Sequence, residues 1–565
     1  MRRFVSALTL GAVTCAWAVA AQAPAPKPTP ATPVPARKAG PAPARKPSAV
    51  PDLGALSFPN SGAPSAQPAF LRGVAWLHSF GYEEAIDAFR EAQKIDPDFT
   101  MAYWGEALAF NQPLWFQEEA EKGRAVLRKL GPTPAARQVK AKTPREQGYL
   151  AAVEALWGDG DKHSRDLKYS EAMSTLAAKF PTDDEAQAFY ALGLLAVMPR
   201  GDQSLPQRQK AGAIAEAIFA RNPKHPGAPH YILHAYDHGA LAEKALPAAR
   251  AYAAIAPAAS HALHMPAHAF VQLGLWDEAA ATDRQSWDAS VQWAARRGAS
   301  VVMRDFHSLT WLHYEWTQLG RFKEAQGAQN LIDEALRAVK PSDVVGGHHY
   351  TDITIGRGIG PEALRNDRGS MRARLVIESA RWEDMKGQTS FDGIDELFAL
   401  GFSAAKLGDR ARVEATIEEL GKASAPGQPA ELREQTEIML HEMQALHLFA
   451  QGKQADAFLE MDRATMLQGR MPKPIGRPFP VKGADELYAE LLLEAGRPQA
   501  AIEWFEKTLR RTPNRSRAVI GLARAYRNAG NAVASRKAYE QFLRNWTGAD
   551  PGLPELKEAR AAVAR

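Results

Sequence analysis

The sequence predicts an all-α chain: a solenoid of stacked helix hairpins behind an export leader and a Pro/Ala-rich linker. Three observations carry that reading. The chain has 565 residues, more than one compact core usually organises, and a repeat array escapes that limit because each unit packs only on its neighbours. One spacing of small, aromatic and proline residues returns along most of its length. Strand-like alternation of apolar and polar residues is absent from it.

Residues 1–23 read as a secretory signal peptide. They hold Arg2 and Arg3, an apolar run over 4–20, and the small residues Ala18, Ala20, Ala21 and Ala23 of an Ala-x-Ala-type cleavage site. The run is short for a membrane span, and no later stretch is apolar enough to be one, so no transmembrane segment is expected in the mature chain. The single cysteine, Cys15, lies in this leader, behind Thr14 rather than the small residue a lipoprotein signal uses. The mature protein is therefore expected to hold no disulfide and no thiolate metal site. The expected location is exported, periplasmic or secreted.

Residues 24–67 are rich in proline and alanine and read as a disordered, extended linker. Residues 1–51 hold seven basic and no acidic residues, so the formal charge of +5 leaves −2 for the rest. The folded part lacks the basic excess of nucleic-acid binders, and no nucleic-acid partner is expected.

The repeats begin at residue 69. Ala85, Phe89, Ala92 and Pro97 are spaced as in the second helix of a hairpin, with Gly73 and Trp76 in its first. The small residue permits close helix approach, the aromatic fills the gap beside it, and proline ends the unit. The frame returns at Ala107 and Phe110, at Ala211, Ala215 and Pro223, at Leu233, Tyr236, Ala245 and Pro257, and at Ala267, Phe270, Gly274 and Ala279. It continues at Gly320 and Ala325, at Ala489, Gly496, Ala501, Phe505 and Pro513, and at Ala523, Tyr526 and Gly530. These spacings resemble the 34-residue tetratricopeptide repeat. The expected organisation is an N-terminal array over 68–340, an irregular helical region over 341–480, and C-terminal repeats over 481–565. Longer connections are expected within 131–180, 341–392 and 421–435. The arginines of 481–545 read as a solvated helix face. The resemblance implies a right-handed superhelix whose concave groove is lined by positions 2, 5, 9, 12 and 13 of each unit.

Seven of the fifteen histidines lie between 225 and 268. In the repeat frame His230, His234, Asp237 and His238 take positions 5, 9, 12 and 13 of one unit. His261, His264 and His268 take positions 2, 5 and 9 of the next. His307 takes position 2 of the unit after that, and His78 position 13 of the first. The pairs 230/234 and 264/268 are spaced i, i+4 and share a helix face. Adjacent first helices run roughly parallel, about 8–10 Å apart. Four imidazoles are therefore expected to converge on one point, with Asp237 and His307 in support. Imidazole suits a divalent transition metal such as zinc, copper or iron. Pro266 is expected to kink its helix and re-aim a ligand. A second set of groove residues comprises Trp104 at position 5, Asn111 at position 12 and Glu106, at position 7, which is placed to brace a neighbouring helix. Trp104 and Trp115 also suit a core or groove wall. His348 and His349 read as loop residues, and His441 and His447 as structural.

The strings HPGAPHYILHAYD (225–237) and HALHMPAHAFVQLGLWDEA (261–279) are no part of the general repeat consensus. With LHSF (77–80), AYWGEALAFNQPLW (102–115) and DFHSLTWLHY (305–314), they resemble an exported bacterial subfamily of tetratricopeptide-repeat proteins over residues 69–320. Gln112 stands where that subfamily typically has histidine. The resemblance implies fold and motif boundaries, not chemistry. The functional expectation is an exported scaffold whose groove holds a ligand, or a protein or peptide partner, with a histidine-bound divalent metal. The alternative is a metal-dependent enzyme, a hydrolase or oxidoreductase, using the same histidines. HExxH, a phosphate loop and a G-x-S-x-G elbow are absent, and GRGIG (356–360) is too short for a dinucleotide fingerprint.

Overall fold

The computed structural model describes residues 47–199, 201–340, 361–427 and 430–564. The expected signal peptide, the linker up to residue 46, His348, His349 and the GRGIG string lie outside the described residues.

The first hairpin pairs the helices Gln67–His78 and Tyr82–Ile95. The second helix buries Ala85, Ile86, Phe89 and Ala92 on one face and turns its charged residues outward. Glu83 and Glu84 in its first turn and Lys94 in its last suit the helix dipole. The ring of Phe89 fills the space between Gly73 and Gly105, where any Cβ would collide with it. Phe505 does the same against Gly521 near the other end of the array. The expected partner of Gly73 was Trp76. That ring lies against Gly81 instead, because the gap between first helices is reached only from the second helix.

Hairpins follow in series through Thr100–Leu108 and Ala120–Leu130, Asp184–Ala196 and Leu205–Arg221, Gly227–Ala235 and Ala242–Ile255, Ser260–Leu273 and Trp276–Arg297, then Phe306–Gln318 and Phe322–Ala338. The stretch 131–180 is more regular than expected. It holds the hairpin Pro144–Leu156 and Lys162–Lys179, started by a capping box between Thr143 and Glu146. The expected irregular region also forms regular hairpins after residue 360. They include Ile394–Leu407 with Arg410–Ala423, and Ala430–Ala450 with Gln454–Arg470. The last repeats run from Ala484–Glu494 to Pro554–Val563. No described helix is long and apolar enough to cross a membrane.

Residues 47–67 correct the linker boundary. Ser48–Ala49 pairs antiparallel with Ala55–Leu56, and Val50, Leu53, Leu56 and Phe58 are buried. The Ala55 N–H donates to the Lys224 carbonyl at 2.8 Å, and Asn222 Nδ2 donates to the Ala55 carbonyl at 2.8 Å. Phe58 sits among Phe70, Trp104 and Tyr149. Its apolar residues, not its prolines, decide the fate of this segment.

The array also turns back on itself. Trp293 Nε1 on the long helix Trp276–Arg297 donates to Glu84 at 2.5 Å, and Arg297 pairs with Glu84 and Asp87. Farther along, Asn514 Nδ2 donates to the Gly274 carbonyl at 2.8 Å, and Trp546 Nε1 to that of Gln318 at 3.0 Å. Arg515 is buried between Glu378 and Glu486, 2.6 and 2.5 Å away, so the C-terminal arginines are not all a solvated face. These contacts cover the inner side of the repeats between residues 225 and 320. Of the positions expected to line an open groove there, His230, His264 and His268 are buried and His234, Asp237, His238, His261 and His307 half-buried.

Candidate metal centres

Three first helices deliver the histidines: Gly227–Ala235, Ser260–Leu273 and Phe306–Gln318. The structure sorts them into two triads rather than one four-histidine point. His230, His234 and His261 form one, and His264, His268 and His307 the other; within each, ligand atoms lie within 4.8 Å of one another. In the repeat frame both triads have the same make-up. Positions 5 and 9 come from one repeat and position 2 from the next. An i, i+4 pair presents one face of its helix, and the following helix reaches that face with its first turn. The second i, i+4 pair belongs one repeat farther on, which is why the four imidazoles do not share a centre. The helix 260–273 serves both triads and runs unbroken through Pro266.

In the second triad His264 Nδ1 lies 2.6 Å from Asp283 Oδ1, and His268 Nδ1 lies 3.0 Å from Asp237 Oδ2. Each carboxylate accepts the Nδ1–H and leaves Nε2 as the free lone pair. Those two Nε2 atoms face each other across 3.1 Å. Two nitrogens each about 2.0–2.1 Å from one zinc ion lie roughly 2.9–3.4 Å apart. His307 Nδ1 is buried without a hydrogen-bond partner. Burial holds the His264 pKa down at about 3, and burial, then the charge of His264, holds His307 well below the usual value. The His264 and His307 imidazoles are therefore neutral, the form that binds metal.

The first triad repeats the device with a backbone partner. His230 Nδ1 donates to the His78 carbonyl at 2.5 Å, and its Nε2 faces His234 Nε2 at 3.0 Å. His261 Nε2 is buried and unpartnered. Burial brings His230 to a pKa of about 3; burial and neighbouring histidines bring His234 and His261 well below 6.5. One aromatic ring walls each triad. The Phe80 ring centre is 4.3, 5.5 and 5.4 Å from those of His230, His234 and His261. That of Trp311 is 5.0, 4.6 and 5.4 Å from those of His264, His268 and His307. Phe80 holds a φ of +56°, uncommon for a bulky residue and of the kind that collects at functional sites.

Asp237 was expected in support of the metal site. Its two oxygens accept from His268 Nδ1 and Gln272 Nε2, so it positions a ligand. His307, expected in support, joins a triad. Asp283 and Glu315 were not anticipated. Burial pushes both carboxyls well above the usual range. Asp283 lies on the second helix of its hairpin, outside the groove positions; its only sequence signal is an acidic residue on a face that otherwise packs alanine, serine and tryptophan.

The other expected groove residues lie elsewhere. Trp104 is wholly buried in the core against Phe58, Tyr149 and Phe189, because the inner side at that repeat is packed shut. Glu106 is buried and accepts from Arg90 and Gln93 at 2.7 Å, bracing the preceding helix. Asn111 accepts from Lys162 at 2.9 Å and borders a mostly apolar cleft with Leu77, Phe80 and Phe189. Half-buried His238 accepts from the Ala240 N–H at 3.1 Å. Trp115 walls the first triad beside His261. His441 and His447 bond to Glu460 and Gln451, as structural residues do.

His78 belongs to a third buried group, with Glu185 and His225. Here no ring nitrogen is spare. His78 uses Nε2 on Glu185 and Nδ1 on Tyr231; His225 uses Nε2 on Glu185 and accepts the Ala228 N–H at Nδ1. Burial alone would raise Glu185, but His225 and His78 outweigh it and hold the carboxyl well below its usual range. This group ties three repeats together.

Residues 492–562 match the tetratricopeptide repeat family. The C-terminal hairpins are tetratricopeptide repeats. The rest of the described chain is all-α and continues the same hairpin stacking, a tetratricopeptide-like solenoid. A comparison with curated proteins finds no sequence match. Among solved structures, the Cut9–Hcn1 hetero-tetramer of the APC/C is 10% identical, covering 90% of this chain and 77% of that one, with a TM-score of 0.29. Human IFIT1 with m7Gppp-AAAA is 12% identical, covering 87% and 91%, with a TM-score of 0.29. Yeast Tom70 is 13% identical, covering 88% and 89%, with a TM-score of 0.28. Likeness of this order says nothing about ligands.

Proposed function

We propose that this chain is an exported tetratricopeptide-repeat scaffold that binds two divalent transition-metal ions, zinc, copper or iron, one at His230, His234 and His261 and one at His264, His268 and His307. A protein or peptide partner remains the expected client of the scaffold, but at these repeats the inner face is filled by the chain's own side chains. The observation that carries the metal reading is the pair of Nε2–Nε2 contacts at 3.0 and 3.1 Å. In three of the four rings concerned, Nδ1 already has an acceptor. With both Nδ1–H groups of His264 and His268 given to carboxylates, their Nε2 lone pairs face and repel each other, and an ion between them turns that repulsion into coordination. In the first triad His234 Nε2 can instead donate to His230 Nε2 until an ion displaces that proton.

Elemental analysis of untagged full-length protein after exposure to zinc or copper tests this. The expected result is two ions per chain and a raised melting temperature, since a ligand that binds only the folded state stabilises it. No bound metal and an unchanged melting temperature overturn it.

A further inference from the structure

A proline-rich segment, 471–483, joins the helices Gln454–Arg470 and Ala484–Glu494 and crosses the inner side of the repeats beside the second triad. Its course is fixed at several points. Arg511 donates to the Pro472 carbonyl at 2.7 Å, and Arg374 Nη2 to that of Pro478 at 2.8 Å. Gly476 lies flat against the indole of Trp311, where a side chain would collide. Lys473 runs along Gly239, 2.9 Å from where its Cβ would stand. The segment thus carries Arg477, next to Gly476, to the wall of the His264, His268 and His307 triad.

Two arginines come together there, with one buried carboxyl, Asp395, near them. Arg374, on the helix Pro361–Ser379, is almost wholly buried, and its Nε and Nη1 have no hydrogen-bond partner. Burial, only partly offset by Asp395, lowers its pKa to about 10. Arg477 is half-buried and forms no ion pair or hydrogen bond with a described residue. Gly476 before it lies on Trp311 at the triad wall and Pro478 after it accepts from Arg374, which places Arg477 between the triad and the buried arginine. Of the nearby carboxyls, burial pushes Glu315 and Asp395 above the usual range, and Asp283 faces His264. A buried arginine with two unused N–H groups, beside a second arginine without a partner, is a donor set shaped for a planar or tetrahedral oxyanion. Three imidazoles would leave a metal at least one open coordination position.

We propose that Arg374 and Arg477 form an oxyanion site adjoining the second triad, so that a small phosphate- or carboxylate-bearing ligand is held by the two guanidiniums and, resting on the metal reading above, by the ion at His264, His268 and His307. The segment 471–483 then closes over the ligand, with Lys473 at its edge.

Calorimetric titration of the full chain with inorganic phosphate, and separately with acetate, tests this in zinc-loaded and zinc-free protein. One anion per chain is expected to bind zinc-loaded protein, and whichever anion binds more tightly identifies the source. Arg477→Met, on the connection between two helices, is expected to weaken that binding by about tenfold or more while zinc stoichiometry stays at two. Zinc bound at two per chain with neither anion binding, or with Arg477→Met binding equally well, overturns the proposal and leaves the metal reading standing. If no zinc binds, the metal reading fails alone; phosphate or acetate binding lost in Arg477→Met then still supports the arginine pair, and no binding overturns both.

Discussion

His264 and His268 turn their Nε2 atoms toward each other across 3.1 Å, while each commits its Nδ1 to a different carboxylate, Asp283 and Asp237. The first carboxylate comes from the same hairpin and the second from the preceding repeat. Ring orientation at this triad is thus fixed by two independent contacts before any ion arrives, which is how outer contacts raise metal affinity.

Replacing either carboxylate should loosen its ring without removing a ligand. Asp283→Asn and Asp237→Asn are each expected to weaken zinc binding at the second triad by about 10- to 100-fold, with the first triad untouched. Competition with a chromophoric chelator reads both affinities. Equal weakening at both sites, or none, would contradict the assignment.

Phe80 closes the first triad and is almost fully buried. Phe80→Ala should cost about 3–5 kcal/mol in urea denaturation of metal-free protein, the usual range for deleting a core phenylalanine. Zinc should also leave the first triad faster. A loss under about 1 kcal/mol would mean the ring packs loosely and walls nothing.

The third histidine group should respond differently. Glu185→Gln removes a buried charge held between His78 and His225, and such a loss typically costs about 3–5 kcal/mol. Zinc stoichiometry should stay at two, because no ring nitrogen there is spare. Loss of an ion with this variant would make the group a metal site after all.

Acid should destabilise the metal-free protein early. Burial holds His230, His264 and His313 at pKa values of about 3, against about 6.5 in an unfolded chain. Between those values the unfolded state binds protons that the folded state refuses. Stability is therefore full above about pH 6.5 and falls toward pH 3, by about 1.4 kcal/mol per pH unit for each such histidine. Glu185, held below its usual range, adds a further loss in the same direction only once the pH passes below the ordinary glutamate value. Chemical denaturation across pH 7 to 4 checks this; a flat profile would contradict the burial.

The hairpin frame was legible because Phe89 and Phe505 with their facing glycines act between neighbouring helices, and such contacts leave a short, repeated spacing. The positions of the triad histidines within that frame were legible for the same reason. Their grouping was not. It depends on which turn of the next helix lies beside an i, i+4 pair, a matter of offset between helices that spacing along one helix does not encode. Burial of the inner face was also hidden, because it rests on Trp293 meeting Glu84 and Asn514 meeting Gly274, contacts more than 200 residues apart. Asp283 and Arg477 stayed invisible because one sits on a second helix and the other on a proline-rich connection, neither a position the frame marks.

The number of ions each triad holds distinguishes two centres from one. Elemental analysis of zinc-exposed, untagged protein should give two zinc ions per chain, one in His230→Ala/His234→Ala, one in His264→Ala/His268→Ala, and none when all four are replaced. A single ion in the native protein that needs both pairs would restore the one-centre arrangement and contradict the two triads. Two ions retained after all four substitutions would place the metal elsewhere.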